Sequence, residues 1–460
     1  MLNEALAKRG LKFVDLAFPP LNEPSVCSRG DKAIKVVWRR FSEFFEEPEV
    51  FIADEGVDIS PNDIKQGKLG DCWLMCALGA IAEFPAVVKQ LFPSGMETFQ
   101  ESGLYRVRVC QGGLWTLVTV DDYVPCALDG SPVFSRANGE ELWVLLIEKA
   151  MAKLSGNYYR LRGGFAAEGL CDLTGFPTFK YNFKQGVVKQ RLASGELFED
   201  FVKADKLHAI VCASTPGEDR FTEGSKGLKV PESGLVPGHA YSMRISRKVG
   251  GHKLINLRNP WGKFEWGGAW GAKDPRWTPS FIAKVAAECE IPLSEVLEGE
   301  GSFWMSYEDF AQNFAGVAVA VQQSPSGGEW HEARSRGELT VDDRADMYRL
   351  TLLKDSHVFV GVHQGDERNL GAAPDYVSIG CTVVRELGGK RYEYQASSAP
   401  TKAREVFVPP LISPDEKQDA TRIWPAGSYV ISAYYTVGLR QARKAPNVLS
   451  TPRLGAFFFF

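Results

Sequence analysis

The sequence predicts an α+β protein built in two stages: a core with one mainly helical half and one mainly antiparallel half, then an all-β sandwich. Three observations carry that expectation. Cys72 heads an apolar run of good helix formers through Ala80, and a second run between Glu141 and Leu154 spaces Trp143, Ile147, Ala150 and Met151 at helical intervals. From Thr178 to Gln323 the chain changes to short β-branched runs bounded by glycine or proline, among them HAIVCAS, HAYSMRISRKV, HKLINLRNP and GVAVAVQQ. After SPSGG at Ser324–Gly328, which reads as a linker, MYRLTLL, HVFVGVHQ, DYVSIGCTVV, REVFVPP, SYVISAYYT and LGAFFFF recur at the spacing of roughly seven or eight sandwich strands.

The domains expected in order are an N-terminal segment at 1–45, a helical subdomain at 46–177, a sheet subdomain at 178–323 and a sandwich at 328–460. The first segment mixes charge, proline and a few aromatics, as an extended stretch lying over a domain would. The Cys72 helix should continue through Glu83 and stop before Pro85, with a short helix over Val87–Leu91. Between Gly103 and Val124 apolar and polar residues alternate, and Gly112-Gly113 sits where a hairpin turn needs positive φ. The closing Phe457–Phe460 run is too short to span a bilayer and reads as an edge strand.

Composition narrows the function classes. A net charge of -4, with 44% apolar and 24% charged residues, is that of an ordinary globular chain and gives no reason to expect nucleic acid. The basic clusters Arg244–Lys248 and Arg440–Lys444 are short and interrupted, so they read as solvated faces. Charges break every apolar stretch near the N-terminus, excluding a signal peptide or membrane span there. Nine cysteines without regular spacing fit a reducing compartment, and the expected location is cytoplasmic.

The chemistry is concentrated in QGKLGDCWLMCALGA, from Gln66 to Ala80. A thiol in the first turn of a buried helix faces unpaired N–H groups and the positive end of the helix dipole, which favour the thiolate. Gly70 is expected to let the loop turn tightly. Gln66 offers a carboxamide N–H2 that, with the Cys72 N–H, would stabilise an oxyanion. Such a nucleophile needs a base and a group that orients it. His239, in VPGHAYSM, follows a Pro-Gly turn at the start of a strand, and Asn259, in INLRNPWG, ends the next strand. A hairpin would set them side by side, with Trp261 covering the imidazole–carboxamide hydrogen bond. A single strand histidine is more often a satisfied core residue, and Asn-Pro more often a turn. Their conjunction with the cysteine-headed helix changes the odds.

QGKLGDCW, GHAY and NPWG, together with VTVDDYVP, EELWVLLIEKAMAK, RGGFAAEG and GSFWMSYEDF in the same order, resemble the calpain family of papain-like cysteine proteases over about residues 45–322. The resemblance implies a papain-like two-subdomain protease core and assigns Cys72 as nucleophile, His239 as acid/base, Asn259 as its orienting partner and Gln66 as oxyanion donor. It puts Gly163, Gly164 and Gly238 against the substrate main chain, with Trp261 beside them. It also implies calcium-regulated endopeptidase activity on protein substrates, with each half of the core holding one Ca2+. The first site's side chains fall on Asp63 and Glu141. The second retains Glu265 and Glu300 but has Ala272 where an acid is expected, with Asp274 as a displaced substitute. Weak calcium binding in the second half is therefore expected.

The 328–460 region resembles, more loosely, the C2-like sandwich that follows the core in many calpains, implying a regulatory module that associates with lipid or protein. No EF-hand loop occurs, so no EF-hand small subunit is expected as partner. The alternative reading is a scaffold or adaptor whose site seldom assembles and which acts through the C2-like domain. A transglutaminase-type transferase shares the Cys-His chemistry but not these ordered blocks.

Overall fold

The computed structural model describes the chain apart from residues 1, 32–33, 54–57, 137–138, 207, 218–231, 263, 298, 300, 323–330, 339–346, 367, 369–375, 413–421, 437–452 and 460. Glu300, the Ser324–Gly328 linker and the Arg440–Lys444 cluster thus lie outside the described residues.

The first half is built on the helix Cys72–Ala82, every residue of which is buried. An all-round apolar helix has no solvated face, and this one is enclosed on several sides. It packs against the helix Ala166–Thr174 and against the strands Ile210–Ser214 and Ala240–Val249 of the second half. The hairpin Leu104–Gln111 and Leu114–Asp121 turns at Gly112-Gly113, with φ of +54° and +75°, which only glycine adopts freely. The helix Trp143–Ser155 lies behind the hairpin, its buried Lys149 paired with the buried Asp121.

The N-terminal segment is more deeply woven in than an overlying stretch. Its strand Val37–Arg40 pairs with Tyr123–Cys126, and Phe18, Val26 and Phe41 are buried in the first core. Its scattered aromatics are therefore core residues, for which short irregular elements carry no periodic signal.

The second half is a six-stranded antiparallel sheet in the order Thr178–Asn182, Gly316–Ala320, Ile210–Ser214, Ala240–Val249, His252–Arg258, Ser302–Ser306. Helices at Gly186–Ser194, Glu196–Lys206 and Pro279–Cys289 accompany it. Arg244 and Arg247 of the Arg244–Lys248 stretch are half-buried and paired rather than solvated, Arg244 with Glu83, at the end of the helix Cys72–Ala82, at 2.9 Å and Arg247 with Asp205, while Lys248 is exposed. Opposite charges from other elements, unseen in a linear reading, partner these two arginines.

The remaining strands form a four-stranded and a five-stranded antiparallel sheet. Val360, Val362 and Val408 of one and Ile379, Val383 and Ile431 of the other share one apolar core. Arg453–Phe459 pairs on both sides, with Glu332–Glu338 and Phe359–His363, and so is an inner strand rather than the expected edge. A nearly continuous apolar run suits a strand flanked by neighbours. Phe359 and Phe407 reach the sheet of the second half, with ring centroids 5.5 and 5.9 Å from Phe179.

Candidate active site

The helix Cys72–Ala82 begins where Asp71 C=O accepts the N–H groups of Leu74 and Met75 at 2.8 and 3.1 Å. Cys72 occupies the first helical position, where the backbone N–H has no intrahelical partner. It is 6% exposed, the most accessible of the helix's fully packed side chains near the cleft. Trp73 anchors the turn through an indole N–H donated to Leu161 C=O at 2.8 Å.

The loop before it owes its shape to Gly67 rather than Gly70. A Cβ on Gly67 would stand 1.7 Å from Phe134 O and 2.5 Å from Val133 O, whereas one on Gly70 would meet nothing closer than 3.9 Å. Gly70 instead uses its carbonyl, which accepts the Gly163 N–H at 2.8 Å and ties the loop to the glycine pair. Gly163 has φ of +72° with open space around it. Gly164 is exposed, but a Cβ there would fall 2.7 Å from the Trp73 ring and 2.6 Å from the Arg368 guanidinium. Gly238 has φ of +63° and donates its N–H to Pro216 C=O at 3.1 Å.

On the facing sheet His239 precedes the strand Ala240–Val249, and Asn259 follows the paired strand His252–Arg258. The register brings His239 Nε2 to 2.9 Å from Asn259 Oδ1, and His239 Nδ1 has no hydrogen bond. Asn259 Oδ1 also accepts the Trp261 N–H at 3.1 Å, and Asn259 Nδ2 donates to Phe264 O at 3.3 Å, so the carboxamide is held from both ends. The Trp261 ring lies 4.5 Å from the imidazole, centroid to centroid. Burial pushes the imidazole down to about 4, against the opposing pull of the Asn259 hydrogen bond. The imidazole is therefore neutral at neutral pH.

Trp261 also joins the two halves. Its indole N–H donates to Gln66 Oε1 at 2.6 Å, and Gln66 Nε2 donates to Leu69 O at 2.8 Å, with a longer 3.4 Å contact to Asp71 Oδ1. Because the indole is a donor only, the carboxamide oxygen must face it. Gln66 is fully buried.

The residues expected to hold calcium divide sharply. Asp63 and Glu141 are both buried, Asp63 Oδ2 accepting the Ser60 N–H at 2.6 Å and Glu141 Oε1 the Ile52 N–H at 2.7 Å. Glu141 Oε2 is buried with no partner. Burial and the neighbouring Asp63 charge push Glu141 up to about 8, and burial raises Asp63 as well. Two hard carboxylates forced together with an oxygen to spare fit a calcium ion. Around the second set, Glu265 Oε1 accepts the Gly301 N–H at 3.2 Å. Asp274 is consumed locally: it accepts the Trp270 N–H at 2.8 Å and the Arg276 N–H and Nε–H at 2.9 Å each, and the Arg276 side chain holds its carboxyl below the ordinary range. Ala272 offers no side-chain donor, so among the described residues this set does not fit the ion.

Three supporting residues escape a linear reading. Thr215 Oγ1 accepts the His239 N–H at 2.9 Å, and the Thr215 N–H donates to His239 O at 2.9 Å, fixing the backbone under the imidazole. Arg258, one residue before Asn259, donates to Asn62 Oδ1 beside Asp63. Glu148, fully buried, accepts Ser135 N–H and O–H at 2.9 and 2.8 Å, and burial, with Asp71 as a neighbouring carboxylate, raises its carboxyl well above the ordinary range. Arg258 and Glu148 lie inside the INLRNPWG and EELWVLLIEKAMAK blocks, yet the contacts of all three form only where separate segments meet.

Residues 13–321 match the family described as calpain family cysteine protease. The chain is 34% identical over 462 aligned residues to the calpain-type cysteine protease DEK1 of Arabidopsis thaliana, covering 90% of this chain and 20% of that protein. It is 34% identical to human calpain-12 over 347 residues, 72% of this chain and 45% of that one, and 32% identical to the calpain-1 catalytic subunit of Bos taurus over 326 residues, 68% and 42%. The chain thus spans less than half the length of each of these relatives. It belongs to the calpain family of cysteine proteases, whose core is of the papain-like α+β type.

Proposed function

We propose that the chain is an endopeptidase that cleaves protein substrates through Cys72, His239 and Asn259. The observation that carries this reading is the 2.9 Å bond from His239 Nε2 to Asn259 Oδ1, which leaves Nδ1 without a hydrogen bond in an imidazole covered by Trp261. Cys72 gives its thiol proton to Nδ1, and the sulfur attacks the scissile carbonyl carbon, moving the C=O electron pair onto oxygen. That oxyanion takes hydrogen bonds from the Cys72 N–H and from the Gln66 N–H that is engaged only at 3.4 Å with Asp71. His239 protonates the leaving amine, and the tetrahedral centre collapses to a thioester. Water then attacks with His239 as base, releasing the acid and restoring the thiol. Gly163, Gly164 and Gly238 bind the substrate main chain, and Trp261 keeps the imidazole dry.

Asp63 and Glu141 are the side chains that would hold calcium, which would supply positive charge between two carboxylates that otherwise repel. Calcium dependence then rests mainly on the first half. We take 46–177 and 178–323 as the halves of the protease core and 328–460 as a C2-like module for lipid or protein contact. That every cysteine is free is in keeping with a reducing, cytoplasmic setting.

The test is labelling of Cys72 by an epoxide or vinyl-sulfone thiol probe across a CaCl2 titration, alongside Cys72→Ala and His239→Ala. Calcium-stimulated labelling of the intact chain, lost in Cys72→Ala and strongly reduced in His239→Ala, is expected. A folded chain that stays unlabelled at every calcium concentration would overturn the protease reading in favour of a scaffold.

A further inference from the structure

At the junction between the protease core and the sandwich, three side chains that ligate metals converge from separate elements. Cys171 lies on the helix Ala166–Thr174, His363 closes the strand Phe359–His363, and Glu405 opens the strand Glu405–Val408. One donor atom from each lies within 4.8 Å of the others. Cys171 and His363 are 1% and 3% exposed, and the Glu405 side chain 9%. We propose that this cluster is a structural zinc site that clamps the sandwich to the protease core.

The donor chemistry selects the ion. A thiolate, an imidazole and a carboxylate suit zinc, whereas calcium and magnesium prefer oxygen alone. Tetrahedral zinc sets its donors roughly 3.5 Å apart, given bonds of about 2.0–2.3 Å, so the side chains need draw inward by only about 1 Å. Water takes the fourth position. Binding expels the Cys171 thiol proton to solvent, because the thiolate is the ligand.

The surrounding charge accommodates a dication. Three guanidiniums are near, and each is already paired with carboxylates, Arg368 with Glu168 and, at 3.0 Å, with Asp366. Arg404 donates to Asp172 at 2.8 Å, to Asp366 at 3.2 Å and to Glu405 at 2.6 Å, and Arg334 donates to Glu332 at 2.5 Å. Five carboxylates thus face three guanidiniums. Since the donors come from both sides of the junction, the site exists only when the two units are docked. Metal there holds the helix Ala166–Thr174, which packs on the nucleophile helix, against the sandwich.

The test uses the full chain carrying Cys72→Ala, so that the thiol and imidazole of the cleft do not jointly bind the probe metal. Chelator-stripped protein is titrated with ZnCl2 in competition with a colorimetric zinc indicator, then separately with CoCl2. One equivalent of zinc that excess CaCl2 does not displace is expected. So are tetrahedral cobalt d–d bands with a thiolate charge-transfer band, and a rise in melting temperature on zinc addition. Adding Cys171→Ser should remove the charge-transfer band and the thermal shift, and His363→Gln should lose the retained zinc. Failure of the parent to take zinc from the indicator, or an unchanged cobalt spectrum in Cys171→Ser, overturns the proposal. X-ray absorption of the zinc-loaded parent, which needs no further substitution, should give one sulfur and one imidazole in the first shell. A shell without sulfur, or with several, overturns it equally. None of these readouts depends on peptidase activity.

Discussion

The two walls of the cleft are built on opposite electrostatic terms. The wall carrying Cys72 is crowded with buried acids: Asp71 and Glu148 lie under the helix start, and Asp63 and Glu141 press together nearby. Around His239 the partners are neutral, with Thr215, Asn259 and Trp261 each bonded to the backbone or side chain they position and only the imidazole Nδ1 left without a hydrogen bond. A neutral hydrogen-bonded wall can be fully formed by the chain itself. A wall of like charges needs a proton or a cation to settle, so a charge-dependent response is expected on the side carrying Cys72.

The largest effect should come from breaking the neutral wall at its base. His239→Ala is expected to lower kcat/KM by about 10²- to 10⁴-fold, measured on a peptide substrate at saturating calcium. Where the walls touch, Gln66→Ala removes both an oxyanion donor and the acceptor of the Trp261 indole, and a loss of about 10²- to 10³-fold in kcat is expected. Trp261→Phe, which removes only the bridge, should cost far less; equal losses in the two variants would mean that Gln66 acts through Trp261 alone.

Stability should respond on the nucleophile side. Gly67→Ala drives a Cβ into the Phe134 carbonyl and should destabilise by on the order of 3 kcal/mol in chemical denaturation, while Gly70→Ala should stay within about 0.5 kcal/mol.

The acid pair gives a pH signature with a definite sign. Glu141 keeps its proton up to about 8 in the folded chain but loses it near its ordinary 4.5 when unfolded. The folded state thus binds more protons, so metal-free stability should fall as pH rises between these values and level off above. Glu141→Gln should flatten that slope and raise the calcium midpoint of activation by about tenfold or more. A slope unchanged by Glu141→Gln would remove the charged-wall interpretation. The smallest effect belongs to the second carboxylate set: Glu265→Gln should move the calcium midpoint by less than about twofold, since that set lacks a competent partner among the described residues.

The order of elements, the hairpin at Gly112-Gly113, the helix headed by Cys72 and the pairing of His239 with Asn259 were all legible from the chain. Each depends on local periodicity or on a turn that sets register, and the family blocks preserve both. Hidden from a linear reading were Gly67, Thr215, Arg258 and Glu148, whose roles arise from contacts between segments far apart in sequence. The N-terminal aromatics and the inner placement of Arg453–Phe459 were likewise settled by partners rather than propensity.

The amino-acid sequence by itself determined which side chains could do thiol chemistry and in what order they come. It also determined that one carboxylate pair was intact and the other incomplete. Only the tertiary structure decided how those groups are charged and held, because burial and proximity, not residue type, set a carboxyl's proton affinity. Glu141 and Asp274 are both acids in the sequence; one is pressed against Asp63 with an oxygen unbonded, the other is neutralised by Arg276.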